Sequence, residues 1–425
     1  MKATVSNSRP LVVIGYGPRC VSLVELTRVA SALCDVTWLI DESIPEMTEM
    51  SAFLERFGSV VDIGGRHENE IARAVSNPRT PDALVTFLDR EMLTFSRVSE
   101  ILGVPFHTVD TARALTDKAY QREKLAAAGL DSTKCRMVTA EEIFQGHVSP
   151  DVDLGWPVVL KPRSSQGSYY TFLAKDAGQL DSLLKLIGRD CPEMLLESYI
   201  PDDPSRSAGP YASYVSVESI VAHGGISHVA ITGRFPLAEN FRETGFFLPA
   251  ALTRSDQSDV LELAGAAIRS LGVRTGSLHT EIKFTADGPR ILEVNGRVGG
   301  GVPEMLLRAA NVDLLDMTLR IALGESVAIE GPVPSRQIGY RFFLQPPPVS
   351  AIVANIEGLD ALSEFPGVDR ISVHQRPGAE LDWKDGSRSH ILSALGSASS
   401  YDDLREVSRI INEVVKVSYM NIRRD

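Results

Sequence analysis

Short apolar runs alternate with amphipathic stretches at the start of the chain. Leu11-Val12-Val13-Ile14 enters Gly15-Tyr16-Gly17-Pro18, a helical stretch continues to about residue 33, and residues 36–40 (VTWLI) form a second run ending at Asp41. Residues 83–89 (ALVTFLD) supply another. Strand-length runs separated by helical segments predict a parallel α/β unit. Thr116-Asp117 is placed to cap a helix from Lys118 to about Ala128, which Gly129 stops. Residues 158–161 (VVLK) and 194–197 (MLLE) have strand character, and a polar loop at 163–168 follows the first of them. Between 211 and 235 two strands meet at His223-Gly224-Gly225. Val260, Leu263, Ala264, Ala267, Ile268 and Leu271 mark a helix, and Leu404, Val407, Ile411, Val414 and Val415 form one stripe of a last helix over about 402–417. The run QPPPVS at 345–350 marks a boundary or an extended crossover.

At 425 residues the chain exceeds one core and predicts about three domains. Its hydrophobic fraction of 44% and charged fraction of 23% are those of a soluble globular protein. A net charge of −12 argues against nucleic-acid partners, though a local basic pocket could still take an anionic substrate. Cys20, Cys34, Cys135 and Cys191 lack metal-type spacing and read as thiols in a reducing cytoplasm. No stretch has the length of a membrane span, and the polar run ATVSNSRP near the N-terminus is no signal sequence. The expectation is a soluble, cytoplasmic protein.

Two carboxylates carry most of the chemical signal. SLHTEIKF and RILEVNGR have strand composition, with the turn-prone ADG between them. Side chains alternate with period two, so Ser277, His279, Glu281 and Lys283 share one face, and Ile291, Glu293 and Asn295 share another. With Ala286-Asp287-Gly288 as the loop, Glu281 falls opposite Glu293 and His279 opposite Asn295. Like charges across a ladder repel and call for a cation. Two carboxylates and an amide oxygen suit Mg²⁺ shared with a nucleotide's phosphates; the alternative is two solvated carboxylates.

Lys161 ends a strand and precedes Ser164-Ser165-Gln166-Gly167-Ser168, a loop able to fold over phosphates or to stand as a plain polar turn. The P-loop pattern GxxxxGK[ST] is absent, and GxGxxG fails because Cys20 occupies the third glycine position. Glu197-Ser198-Tyr199-Ile200 leaves a strand and could read an adenine edge and a ribose hydroxyl, or be an ordinary strand exit. Arg297 heads Gly299-Gly300-Gly301, where backbone can approach a ligand closely, or it is a buried arginine in a structural ion pair with carboxylates.

In order and spacing, these pieces resemble the ATP-grasp superfamily of carboxylate–amine ligases. The matching stretches are Leu115-Thr116-Asp117-Lys118, Val158-Val159-Leu160-Lys161-Pro162, Leu195 to Ile200, Ser216-Val217-Glu218, His279-Thr280-Glu281 and Leu292 to Arg297. Within the superfamily, Glu243-Thr244-Gly245 before Leu248-Pro249 looks most like the dipeptide-forming L-amino acid ligases. The resemblance covers about residues 10–330. It implies an α/β fold with a Rossmann-like pre-ATP-grasp domain (1–110), a small lobe and mobile α+β lid (111–200), and a large lobe with the metal site (201–330). Residues 331–425 are left as a C-terminal α+β domain without a matching motif.

The resemblance also implies roles. Lys118 and Lys161 would contact ATP phosphates under the loop of Ser164, Ser165, Gly167 and Ser168. Glu197, Ser198 and Ile200 would hold adenine, and Glu218 and His279 would lie near the nucleotide or acceptor. Glu281, Glu293 and Asn295 would bind Mg²⁺, with Mn²⁺ as an alternative ion. Arg297 would neutralise the transferring phosphoryl group. Arg242, Glu243 and Gly245 would frame a pocket for an amino acid, the alternative being a surface loop with a solvated ion pair. The implied reaction activates a carboxylate as an acylphosphate that an amine displaces, releasing ADP and phosphate, in a chain that could work as a homodimer. The rival readings are an ATP-grasp ligase of nucleotide or central metabolism and a non-catalytic ATP-binding regulator.

Overall fold

The computed structural model describes residues 9–18, 20–148, 154–207 and 209–421, so most of the N-terminal run read for a leader lies outside it. The first unit is the parallel sheet that the opening runs predict. β1 (Leu11–Gly15), β2 (Asp35–Ile40), β3 (Ser59–Asp62) and β4 (Ala83–Thr86) lie in the order β3-β2-β1-β4, all parallel. β3 is a four-residue edge strand whose side chains are all at least partly exposed, so its sequence lacks a buried-run signal. The run at 83–89 leaves the sheet after Thr86, and Asp89–Glu91 form a single 3₁₀ turn. A Cβ on Gly15 would strike Phe95 at 2.7 Å, and one on Gly17 would strike Arg90 and Leu88 at 2.9 Å. Packing against the chain itself accounts for both glycines.

A second, antiparallel sheet has the order β5-β8-β6-β7, built from β5 (Cys135–Met137), β6 (Val158–Pro162), β7 (Phe172–Ala174) and β8 (Met194–Ser198). Alternation divides its faces. Val158, Leu160, Phe172 and Leu196 pack on Leu180 and Leu184 of the helix Ala177–Ile187, each burial stabilising by roughly 1.5–3 kcal/mol. Val159, Lys161 and Glu197 are left on the opposite face.

The largest sheet has eight strands in the order β13-β12-β9-β10-β11-β14-β18-β16. Its members are β9 (Tyr214–Ala222), β10 (Gly225–Arg234), β11 (Gly245–Leu248), β12 (Gly276–Thr285), β13 (Gly288–Asn295), β14 (Ile338–Leu344), β16 (Val368–Val373) and β18 (Leu392–Ala398). β15 (Ala351–Glu357), β17 (Glu380–Leu381) and β19 (Lys416–Asn421) form a small separate sheet. Residues beyond 331 therefore extend the large sheet through β14, β18 and β16. The run QPPPVS is the extended crossover from β14 to β15. His223 (φ 50°) and Gly224 (φ 84°) make the tight turn between β9 and β10. The last helix ends at Val414, and Val415 caps it in extended geometry one residue before β19.

Candidate active site

The hairpin β12–β13 places Glu281 opposite Glu293 and His279 opposite Asn295, as the sequence predicts. The turn is nevertheless one residue shorter than expected. Thr285 pairs with Gly288, leaving only Ala286 and Asp287 between the strands, and the register holds as far as Ile282 opposite Ile291. A bulge at Leu292 then restores the pairing of the two glutamates. The carbonyls of Ile291 and Leu292 accept hydrogen bonds from Arg122 Nη1 (2.9 Å) and Nη2 (2.7 Å). The buried arginine thus satisfies the backbone that the bulge disturbs.

Arg122 is the main member of the site that sequence reading misses. It also pairs with Asp131 at 2.9 Å and with Glu197 at 3.1 Å, while Lys161 Nζ meets the other Glu197 oxygen at 2.6 Å. Burial alone would raise the Glu197 carboxyl, but Arg122 and Lys161 outweigh it and bring its pKa to about 2. Burial lowers the Lys161 pKa, with Glu197 opposing. A signal for Arg122 existed, since it lies one helical turn beyond Lys118. Glu197 is thus engaged by cations, and the Ile200 carbonyl accepts from Lys283 Nζ at 2.8 Å. The strand exit is held by the protein's own groups where the resemblance implied adenine contacts for this carboxylate.

Lys118 Nζ lies 2.7 Å from Glu293 Oε1 and donates to the Ser165 carbonyl at 2.8 Å. The loop at 163–168 is docked rather than free. Ser168 Oγ donates to the Phe241 carbonyl (2.7 Å), and the Gly167 carbonyl accepts from the Ser387 amide (2.8 Å). Ser165, Gly167 and Ser168 line the cleft, whereas exposed Ser164 does not.

Behind Glu281 runs a buried polar network. His279 Nδ1 bonds Glu218 at 2.8 Å, its Nε2 faces Glu281 at 3.4 Å, and Ser216 Oγ donates to Glu218 at 2.9 Å. Burial disfavours the imidazolium, yet the two carboxylates prevail and raise the His279 pKa to about 9. Arg234 donates to Ser216 and Thr232 (both 3.1 Å) and pairs with Glu243 at 3.3 Å. Burial pushes the Glu243 carboxyl up, against the pull of Arg234. Glu218 is fully buried beneath the cleft and supports His279 from below.

Arg297 Nε pairs with Asp89 at 2.8 Å, which ties the parallel-sheet unit to the large sheet. Arg242 stands elsewhere. Its side chain is buried, with Nε donating to the Glu239 carbonyl (2.9 Å) and Nη1 to the Pro346 carbonyl (2.8 Å), and it is not in the cleft wall. The partner of Glu243 is Arg234, so Arg242 and Glu243 do not form the solvated ion pair of the alternative reading, and of the two only Glu243 faces the cleft. Gly245 also lies outside the wall; at φ +136° a Cβ there would collide with the backbone of Arg341 and Phe342 on β14. Asn295 is buried, and its amide makes a long 3.4 Å contact to the His279 carbonyl.

One cleft of about 1590 Å³ brings together Lys118, Lys161, Glu197, Arg234, Glu243, His279, Glu281, Glu293 and Arg297. Its far wall is formed by Arg341, Phe343, Arg370, Ser387 and Arg388, from a region without a recognised motif. Among the described residues, no group of three His, Cys, Asp or Glu side chains is set to ligate a metal. Glu281 and Glu293 are a pair of hard oxygen donors facing each other, the chemistry that would suit a divalent cation such as Mg²⁺. Also among the described residues, no helix is long and apolar enough to cross a membrane.

No protein-family model matches the chain. An uncharacterized protein, y4rH, of Sinorhizobium fredii is 28% identical over 322 residues, covering 73% of this chain and 63% of its own. An alanine–anticapsin ligase of Bacillus subtilis strain 168 is 26% identical over 235 residues, covering 52% of this chain and 49% of its own. This chain thus spans about half to under two thirds of the length of these two relatives. The crystal structure of an L-amino acid ligase from Bacillus licheniformis superposes with a TM-score of 0.76 at 18% identity, covering 98% of this chain and all of that one.

Proposed function

We propose that this chain, which has the ATP-grasp fold of the carboxylate–amine ligases, joins a small carboxylate to an amine at the expense of ATP, with amino acids as substrates. The observation that carries the reading is the single cleft in which two facing carboxylates, two lysines and Arg297 converge. A carboxylate resists amines because its oxygen leaves poorly, and phosphorylation by ATP removes that obstacle. Lys118 and Lys161 supply positive charge beside the loop 165–168, where the phosphates would lie. Glu281 and Glu293 would hold Mg²⁺, which offsets the charge that builds up during phosphoryl transfer. Arg297, fixed by Asp89, faces the same space and would stabilise the transferring group. Glu243 beside Arg234 offers an anion for a substrate ammonium and a cation for its carboxylate. The acylphosphate must be kept from water, a task for the sheet β5-β8-β6-β7 and its docked loop.

The reading is tested by phosphate release from ATP and Mg²⁺, with and without mixed amino acids. Low basal release, stimulated by amino acids and accompanied by a condensed product detected by mass, is the expected result. No release under any mixture would contradict it and favour an ATP-binding regulator.

A further inference from the structure

The far wall of the cleft holds a guanidinium, that of Arg341, which has no hydrogen-bond partner among the described residues. Register-paired residues point to the same side of a sheet, and one row runs Arg234, Phe246, Arg341, Leu395 and Arg370 across β10, β11, β14, β18 and β16. Arg234 lies at the centre of the site beside Glu243. Arg341 stands two strands away, roughly 10 Å along the sheet, and it lines the same cleft.

Arg341 and Arg370 share one carboxylate. Arg370 Nη2 takes both Glu304 oxygens, at 3.0 and 2.9 Å, and Arg341 Nη1 is left 3.8 Å from Oε2, beyond hydrogen-bond reach. Among the described residues, the guanidinium of Arg341 has only that distant ion pair and the Phe343 ring, 5.6 Å from its Cζ. Its side chain is 22% exposed, against 52% for Arg370. Burial depresses the Arg341 pKa, with Glu304 opposing. A guanidinium carries five N–H donors in a planar fork that matches a carboxylate bidentately. Gly301, at φ +76°, leaves it room, since a Cβ there would meet Arg341 Nη1 at 2.5 Å. Two cations against one anion leave an excess positive charge at this end of the cleft.

We infer that Arg341 binds a second, non-reacting carboxylate of the substrates, so that one partner carries a free carboxylate besides the one being activated. The inference rests on the ligase reading. Such a group is either the α-carboxylate of an amino acid serving as the amine or a side-chain carboxylate of either partner. Both present the same chemistry to the fork.

The test compares wild type with Arg341→Met and Arg341→Lys, using the amino-acid pair that gives the fastest phosphate release among the protein amino acids. For each partner, the α-amide and, where it exists, the side-chain amide replace the acid. In R341M the KM for the acid should rise about 10- to 100-fold with the KM for ATP unchanged, as expected for a lost charge-assisted contact. R341K should fall between, and only the amide at the recognised position should behave alike in both proteins, which identifies the source of the carboxylate. An unchanged KM in R341M, or an acid-over-amide preference that persists there, overturns the inference and leaves the ligase reading standing. If no pair releases phosphate from wild type, the ligase reading falls. Calorimetry of L-glutamate binding to Mg-ADP-loaded wild type and R341M then decides the site: at least about tenfold weaker binding in R341M supports it, and equal affinity overturns it.

Discussion

Glu293→Gln is expected to lower kcat by about a hundredfold or more and to shift the Mg²⁺ dependence of the reaction to higher concentration. The substitution keeps shape and removes charge. In the structure Glu293 faces Glu281 across the ladder, with Lys118 against one of its oxygens. Its side chain is 24% exposed, and the Gln carbonyl can still accept from Lys118, so unfolding should stay cooperative. As a residue that would hold Mg²⁺, Glu293 would place its charge where phosphoryl charge develops, and Gln would not. The measurement is steady-state phosphate release across a Mg²⁺ titration, with cooperative unfolding as the control. Near-normal turnover at low Mg²⁺ would remove Glu293 from the metal site.

Arg122→Met should destabilise the protein by about 3–5 kcal/mol, the usual cost of breaking a buried ion pair from one side. Two buried carboxylates, Glu197 and Asp131, lose a partner, and the carbonyls of Ile291 and Leu292 lose their donor. The pH dependence supplies a second reading. Glu197 titrates at about 2 in the fold against 4.5 ordinarily. Its contribution is therefore present above pH 4.5 and lost as pH falls towards 2. Without Arg122 the folded value rises, the contribution shrinks, and acid unfolding begins at higher pH. Urea midpoints measured at neutral and acidic pH check both effects, and a midpoint equal to wild type at neutral pH would contradict the role assigned to Arg122. Arg122→Lys keeps a charge but not the fork, and should recover only part of the loss.

The hairpin was legible because a period-two pattern fixes which residues share a face, and Glu281 and Glu293 had to lie on faces that could meet. The turn was not. The sequence ADG suits two loop lengths, and the choice was made by a bulge whose carbonyls find Arg122, a partner about 170 positions away. Lys118 and Lys161 were visible at a helix start and a strand end. Arg242 misled because local sequence shows charge but not direction: it lies next to Glu243 in the chain, yet turns to the Pro346 carbonyl while Arg234 takes the glutamate. The far wall was illegible for a related reason. Arg341 and Arg370 become neighbours of the site only through the cross-strand order β11-β14-β18-β16, and no local motif encodes that order. The edge strand β3, short and half-exposed, carried too little apolar signal to register.

Attack of a substrate carboxylate on the terminal phosphoryl group of ATP is the step on which the proposed function turns. Its most direct test is to label that carboxylate with ¹⁸O and follow the label through one turnover with an accepted amine. The geometry of Lys118, Lys161, Glu281, Glu293 and Arg297 predicts ADP as the nucleotide product and one ¹⁸O in the released phosphate. AMP in stoichiometric amount, with the label in AMP rather than in phosphate, would contradict it.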